Sequence, residues 1–182
     1  VTELWGKRDT EVVVSVVPSQ LGNNYVIHHS EFNTLRPHQW LVGETDFDNY
    51  KAIVSFINIG NVHWKFLYIS AADSTVYVVD PARSAIEQAD SDNAAKRLRE
   101  YFNMRRICLG KTDWVNVKWK GGVLEHPFQR DGSSCGVIVI KMAKAVMEAF
   151  PKKAEMSFGT APRLMADERK HLALELLEAS GV

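Results

Sequence analysis

The sequence predicts an α+β domain in which a central, twisted, mixed sheet is flanked by helices. Residues 52–79 contain successive segments rich in β-branched and aromatic residues, which are typical of strands. Residues 90–106 and 160–180 carry apolar residues at helical spacing. An apolar run also follows Cys135 and is long enough to form a fully buried element. A chain of 182 residues is large enough to build one core of this kind.

The first 31 residues are treated as a lead-in segment to which the sequence assigns no role. Within it, residues 11–17 (EVVVSVV) are typical of a strand, which ends at Pro18. Residues 32–182 follow as a single domain.

Three strands are predicted in succession, over residues 52–59, 64–70 and 75–79. A short polar turn separates the last two, so these form a hairpin. In such a hairpin the start of the first strand and the end of the second lie side by side, and we therefore expect His63 and Asp80 to be neighbours. Taken singly, such a histidine is more often a surface residue, and an aspartate before a proline is a common turn residue.

The helix predicted over residues 90–106 has Asp90 or Ser91 as its cap. Its buried stripe consists of Ala94, Leu98, Tyr101 and Phe102. Residues 113–120 alternate apolar and polar side chains and predict an edge strand protected by lysines. The last helix is capped by Thr160, and its predicted buried stripe consists of Leu164, Met165, Leu172, Leu176 and Leu177.

Cys135 lies between a polar, glycine-containing turn and the apolar run. If that run is helical, Cys135 occupies its first turn, where unpaired N–H groups and the positive end of the helix dipole favour a thiolate. Small free cysteines are often simply buried, so the partners decide between the two interpretations. A nucleophilic cysteine needs a base and a group that orients the base. His63 and Asp80 provide these two chemical types.

The two cysteines, Cys108 and Cys135, lack the spacing of a metal or redox motif, and a disulfide between them would consume the candidate nucleophile. Reduced thiols in an intracellular compartment fit better, and Cys108 is expected in the core. The chain has 22 basic and 22 acidic residues, so its charge gives no argument for a nucleic-acid or membrane partner. No apolar stretch approaches the roughly 18 residues of a membrane helix.

Several motifs, taken in order, resemble those of the ubiquitin-like-protein-specific cysteine proteases, the sentrin or SUMO protease family. The resemblance covers the chain from about Phe32 to the last helix. Each motif is weak by itself, whereas the ordered set is specific. The matching pieces are Thr34 to Pro37, Trp40 with Leu41, His63 with Trp64, Asp80, Gln129, and Asp131 to Gly136.

The resemblance implies a papain-like fold, with residues 32–182 as the catalytic domain. It implies that Cys135 is the nucleophile, that His63 is the base and that Asp80 fixes the imidazole tautomer. Gln129, which lies ahead of the cysteine, would stabilise the oxyanion together with the backbone N–H of Cys135. No metal or cofactor is called for.

The resemblance also implies that Trp40 and Trp64 form the walls of a narrow slot over the diglycine tail of the substrate. Packing in the core is the alternative for both. The family has a polar pair after the first of these tryptophans, with the typical sequence Leu-Asn-Asp, whereas this chain has Val42 and Gly43. A substrate contact through that pair is therefore in doubt.

The expected partner is a ubiquitin-like protein of SUMO type and its conjugates, cut by a monomeric enzyme in the nucleus or cytoplasm. Three alternatives stay open. A transposon-borne or viral polyprotein protease would share the catalytic residues, and an acetyltransferase would use the same cysteine, although the sequence offers no obvious basic cluster for coenzyme A. A binding module whose catalytic machinery has decayed is the non-enzymatic alternative.

Overall fold

The computed structural model describes residues 12–17, 25–28, 46–82 and 85–180. The motif at residues 34–37 and Trp40 lie outside these ranges. The chain divides into two compact units, Val1–Asp46 and Phe47–Val182. In the first unit, strand β1 (Val12–Val17) pairs antiparallel with β2 (Tyr25–His28). The strand predicted before Pro18 is therefore present.

A four-stranded mixed sheet forms the centre of the second unit. Its strands are β3 (Ala52–Ile59), β4 (His63–Ser70), β5 (Thr75–Val79) and β6 (Lys120–Gly122), in that spatial order. The first three are antiparallel neighbours, whereas β6 runs parallel to β5. The three predicted strands and the mixed sheet are confirmed, with β4 starting one residue earlier than predicted.

In the part of the chain that the structure describes, three α-helices accompany this sheet: α1 (Glu87–Leu109), α2 (Cys135–Ala149) and α3 (Pro162–Ser180). Alternate residues of the central strands supply two cores. On one side Phe66 and Tyr77 pack with apolar residues of α2, and on the other Ile69 and Val76 pack with Phe102 of α1. Because β5 is buried on both faces, its sequence is a nearly continuous apolar run. The α+β, papain-like class is confirmed.

The predicted cap of the first long helix was wrong. Helix α1 begins at Glu87, and the residue before it provides no side-chain cap. Ser91 is instead fully buried, and its hydroxyl oxygen accepts the Val78 N–H at 2.9 Å. Phe102 faces the core as predicted, whereas Tyr101 is 41% exposed.

The edge strand predicted over residues 113–120 was also wrong, because only Lys120 belongs to a strand. Trp114 has a left-handed φ of 54° and lies buried beside Phe102 and Trp119. The alternating side chains therefore fill the space beneath α1 and do not line a ladder of strand hydrogen bonds.

Two burial predictions fail near the surface. In α3 only Met165 is fully buried and Leu172 partly so, whereas Leu164, Leu176 and Leu177 are each more than half exposed. Cys108 is exposed, so the expectation that it belongs to the core was wrong. None of the helices among the described residues combines the length and the hydropathy that a membrane span needs.

Candidate active site

His63 and Asp80 are in direct contact, as expected from the hairpin predicted over residues 64–79. His63 is the first residue of β4, and Asp80 directly follows β5. The Nε2 atom of His63 lies 2.8 Å from Oδ1 of Asp80. The Asp80 side chain is 4% exposed and that of His63 is 25% exposed. The contact orients the ring and leaves Nδ1 as the nitrogen that can exchange a proton with a substrate or a thiol.

Three donors hold the carboxylate of Asp80. Its Oδ1 atom also accepts the Ala82 N–H at 2.9 Å, and its Oδ2 atom lies 3.2 Å from Nζ of Lys65. Burial by itself would raise the pKa of Asp80, but the hydrogen bonds from Ala82, His63 and Lys65 lower it below its usual value. Asp80 is therefore ionised at neutral pH and faces the imidazole as an acceptor.

A buried pair, Glu87 and His126, supports the backbone of Asp80. The Oε1 atom of Glu87 accepts the Asp80 N–H at 3.0 Å and lies 2.6 Å from Nε2 of His126. The Nδ1 atom of the same ring faces the Pro127 carbonyl at 3.2 Å. Both side chains are 2% exposed. This pair connects the residue after β5 to the segment that leads to Cys135.

Sequence reasoning assigned no role to Lys65, Glu87 or His126. One signal was available for Lys65, because alternation along β4 places it on the same face as His63. Glu87 lies before the predicted start of the helix at residue 90, and no periodic pattern in the sequence distinguishes this glutamate. His126 begins the segment that leads to the cysteine, but its acceptor comes from α1, which the sequence does not bring near it.

Cys135 is the first residue of α2 and is 5% exposed, so the prediction that a helix begins at this cysteine is confirmed. Ser134 occupies the N-cap position but makes no capping hydrogen bond. Its hydroxyl instead donates to Oδ2 of Asp131 at 2.6 Å. The N–H groups of the first turn are thus not satisfied by this side chain, and the positive end of the dipole lies at Cys135.

Asp131 shapes the loop before the cysteine. Its Oδ1 atom accepts the N–H groups of Ser133 and Ser134 at 3.0 and 2.8 Å. The Ser134 hydroxyl is the main cause that lowers the pKa of Asp131. This carboxylate is therefore committed to the turn, and the carboxylate that contacts His63 is Asp80.

Trp64 connects the strand that carries His63 to the helix that begins at Cys135. Its Cδ1 atom lies 3.5 Å from the place where a Cβ on Gly136 would stand. The indole is 37% exposed, so it covers the first turn of α2 without being enclosed. Among the described residues, no hydrogen bond joins Sγ of Cys135 to the imidazole. The structure thus joins His63 to Asp80 directly and places Cys135 at the helix start beside Trp64.

Gln129 lies in the loop before α2, beside the residues that follow β5, and turns its side chain into its own loop. Its backbone N–H donates to the Pro81 carbonyl at 2.8 Å, and its Nε2 donates to the Asp131 carbonyl. Its Oε1 is buried with no hydrogen-bond partner among the described residues. The role of Gln129 as oxyanion donor stays a prediction.

An open cavity of about 320 Å³ adjoins the His63 and Asp80 pair. It is lined by Ile59, His63, Lys65, Asp80, Ala82 and Ile86. Within the described ranges no three His, Cys, Asp or Glu side chains are grouped so that they could hold a metal ion. His63 and Asp80 offer acid–base chemistry at this cavity.

Comparison with known proteins agrees with this fold. The chain is similar in fold to the solved SUMO protease Ulp1 with its catalytic cysteine oxidised to a sulfenic acid, with TM-score 0.57 and 18% identity over 87% of this chain and 86% of that one. The sulfonic acid form gives TM-score 0.54 and 16% identity over 98% and 93%. No curated protein sequence matches. A model of the Ulp1 protease family, C-terminal catalytic domain, matches residues 22–175. The chain therefore belongs to the Ulp1 protease family and is a cysteine protease domain.

Proposed function

We propose that this domain hydrolyses the bond after the C-terminal glycine of a ubiquitin-like modifier of SUMO type. The observation that carries the proposal is the contact between His63 and Asp80. Trp64, which follows His63 in β4, packs against the first turn of the helix that begins at Cys135. The choice of modifier is supported by the motifs of the sequence and by the similarity in fold to a SUMO protease.

In the acylation step, Nδ1 of His63 takes the proton of the Cys135 thiol. The thiolate then attacks the carbonyl carbon of the terminal glycine. The tetrahedral intermediate collapses as the carbon–nitrogen bond breaks, and the imidazolium gives its proton to the leaving amine. Asp80 keeps Nε2 in the donor state through the 2.8 Å contact, so that Nδ1 is the nitrogen that moves the proton.

In the deacylation step, His63 takes a proton from water, and the resulting hydroxide equivalent attacks the thioester. The carbon–sulfur bond breaks, the modifier leaves with a free carboxylate, and Cys135 is regenerated. The same imidazole thus serves both half-reactions, and the low exposure of Asp80 keeps its orientation constant between them.

Gln129 would donate to the oxyanion together with the backbone N–H of Cys135. Its Nε2 already donates to the Asp131 carbonyl and lies 3.3 Å from Oδ1 of the same residue. Donation to the substrate therefore requires rotation of the amide away from Asp131. The unpartnered Oε1 lowers the cost of such a rotation, because no hydrogen bond to that atom has to break.

Trp64 would form one wall of the slot for the substrate tail. A glycine pair carries no side chains, so it can pass beneath an indole that lies close to a helix terminus. A bulkier residue at either position would meet the ring. The partial exposure of Trp64 beside Gly136 supports this role, and Trp40 is proposed as the second wall from the sequence resemblance.

The test is a panel of ubiquitin-like modifiers that carry C-terminal electrophiles in place of the terminal glycine carboxylate. We expect a covalent adduct with at least one SUMO-type probe and none with the Cys135→Ala variant. Cys108→Ala is the matched control, because Cys108 is the other thiol of the sequence and is exposed to the probe. It should label at the rate of the unmodified domain.

Turnover of a SUMO precursor and of a lysine-linked conjugate completes the test. If no modifier probe labels Cys135 while a peptide library is cleaved in a fixed sequence context, the chain is instead a processing protease. Tight binding of a modifier without labelling or cleavage would identify a binding module, and transfer of label from acetyl-CoA would identify an acetyltransferase.

A further inference from the structure

Lys65 is an unusual neighbour for the orienting carboxylate. It lies two residues after His63 on the same face of β4, and its side chain is only 10% exposed. Its Nζ lies 3.2 Å from Oδ2 of Asp80 and 2.7 Å from Oδ2 of Asp90, which belongs to α1. A buried lysine needs such partners, because burial of an uncompensated ammonium is costly.

The two oxygens of the Asp80 carboxylate have different partners. Oδ1 accepts from His63 and from the Ala82 N–H, whereas Oδ2 faces Lys65. Because both oxygens are engaged, the carboxylate cannot rotate about its Cβ–Cγ bond without losing a charged contact. Burial alone would lower the pKa of Lys65, but the hydrogen bonds to Asp90 and Asp80 raise it, so the lysine keeps its charge.

We propose that Lys65 is a positioning residue for Asp80 and His63. In this proposal the charges of Lys65 and Asp90 also influence proton transfer by His63. The proposal rests on the proposed function, because it concerns the same imidazole. Lys65 holds the oxygen that faces away from His63, and its positive charge lies across the carboxylate from the ring. Asp90, whose side chain is 32% exposed, offsets part of that charge.

The charged and titratable groups around Asp80 come from three segments. His63 and Lys65 come from β4, Asp90 and Glu87 from α1, and His126 reaches Asp80 through Glu87. The hydrogen bond from the Asp80 N–H to Glu87, and the contact of Glu87 with His126, involve neither Lys65 nor Asp90. The effects of substituting Lys65 or Asp90 can therefore be distinguished from a loss of the contacts that hold the Asp80 backbone.

The experiment measures the rate of Cys135 alkylation by iodoacetamide as a function of pH, with Cys108→Ala as the parent so that only one thiol reacts. The Lys65→Met variant removes a positive charge and should move the ionisations of the profile to higher pH, by about 0.5–1 pH unit. The Asp90→Asn variant removes a negative charge and should move them to lower pH. The Lys65→Arg variant keeps the charge and should stay near the parent.

Opposite displacements by Lys65→Met and Asp90→Asn are the signature of an electrostatic role, because loss of structure would move both variants in one direction. Coincident profiles for the parent and both variants would overturn the proposal while leaving the proposed function in place. A parent profile with the single ionisation of an isolated thiol would overturn the proposed function, and the role of Lys65 with it. Far-UV circular dichroism of each variant checks that it is folded.

Discussion

The backbone N–H of Gln129 donates to the carbonyl of Pro81 at 2.8 Å, and this contact ties the loop before Cys135 to the residue after Asp80. This hydrogen bond therefore joins the segment that carries Asp80, at the end of β5, to the loop that carries Gln129, the proposed oxyanion donor, before α2. Glu87 and His126 add a second connection between the same two segments.

Asp80→Asn should leave the domain folded and lower turnover of a SUMO precursor by about two to four orders of magnitude. An asparagine can present its amide to Nε2 of His63, which favours the tautomer that cannot take the thiol proton at Nδ1. Asp167→Asn, an exposed change on α3, is the control. Steady-state kinetics check this expectation, and near-normal activity would remove Asp80 from the mechanism.

Gln129→Ala should lower kcat by about 10²- to 10³-fold, with little change in KM, because one oxyanion donor is lost. The rate of Cys135 alkylation by iodoacetamide should stay unchanged, since that reaction forms no oxyanion. A parallel fall of both rates would show that Gln129 acts by holding the loop, through the Asp131 contact, and not by donating to the substrate.

Asp113→Asn should destabilise the fold by about 3 kcal/mol, because it removes the carboxylate that faces a buried guanidinium. Asp113 and Arg105 are 5% and 4% exposed and lie 3.1 Å apart. Glu148→Gln, an exposed change on α2, is the control and should have little effect. Urea denaturation at neutral pH measures the difference.

The same pair predicts a pH dependence. Burial alone would raise the pKa of Asp113, but hydrogen bonds from the Phe47 N–H and Arg105 lower it below the ordinary value of 3.8. The stability that this group contributes is therefore present above pH 3.8 and is lost as the pH falls through the lower, folded-state value. The difference between the unmodified domain and Asp113→Asn should shrink only in that acidic range. A difference that shrinks near pH 6 would contradict this assignment.

Gly121→Ala should destabilise the domain by about 1–3 kcal/mol through overpacking. A Cβ at this position would lie 2.4 Å from the backbone nitrogen of Asp92, and a backbone atom within a helix cannot move aside easily. Gly132→Ala is the matched control, since nothing lies within 4 Å of its added carbon. Thermal denaturation should separate the two variants, and equal midpoints would show that β6 and α1 can move apart freely.

The hairpin and the cysteine helix could be predicted because their signals are local. Alternation and turn chemistry determine which ends of β4 and β5 meet, and this is enough to bring His63 to Asp80. A polar turn followed by an apolar run likewise marks the start of α2 at Cys135. Neither inference needs knowledge of how distant elements pack.

The features that were missed depend on tertiary contacts. Residues 113–120 alternate like a strand, but Trp114 packs against Phe102 of α1 and against Trp119, and tertiary packing overrides the local pattern. Ser91 has the chemistry of a helix cap, yet its hydroxyl serves a strand N–H from the neighbouring layer. The partners of Lys65 and Glu87 come from other elements, so no spacing in the sequence marks them.

The central claim is that Cys135, served by His63, is the nucleophile. The most direct measurement is mass-spectrometric mapping of the adduct formed by a SUMO-type electrophilic probe, together with its rate of formation in the unmodified domain and in His63→Ala. We predict modification of Cys135 alone, and formation slowed by at least about 100-fold without the imidazole. An adduct on Cys108, or an equal rate in His63→Ala, would contradict the account.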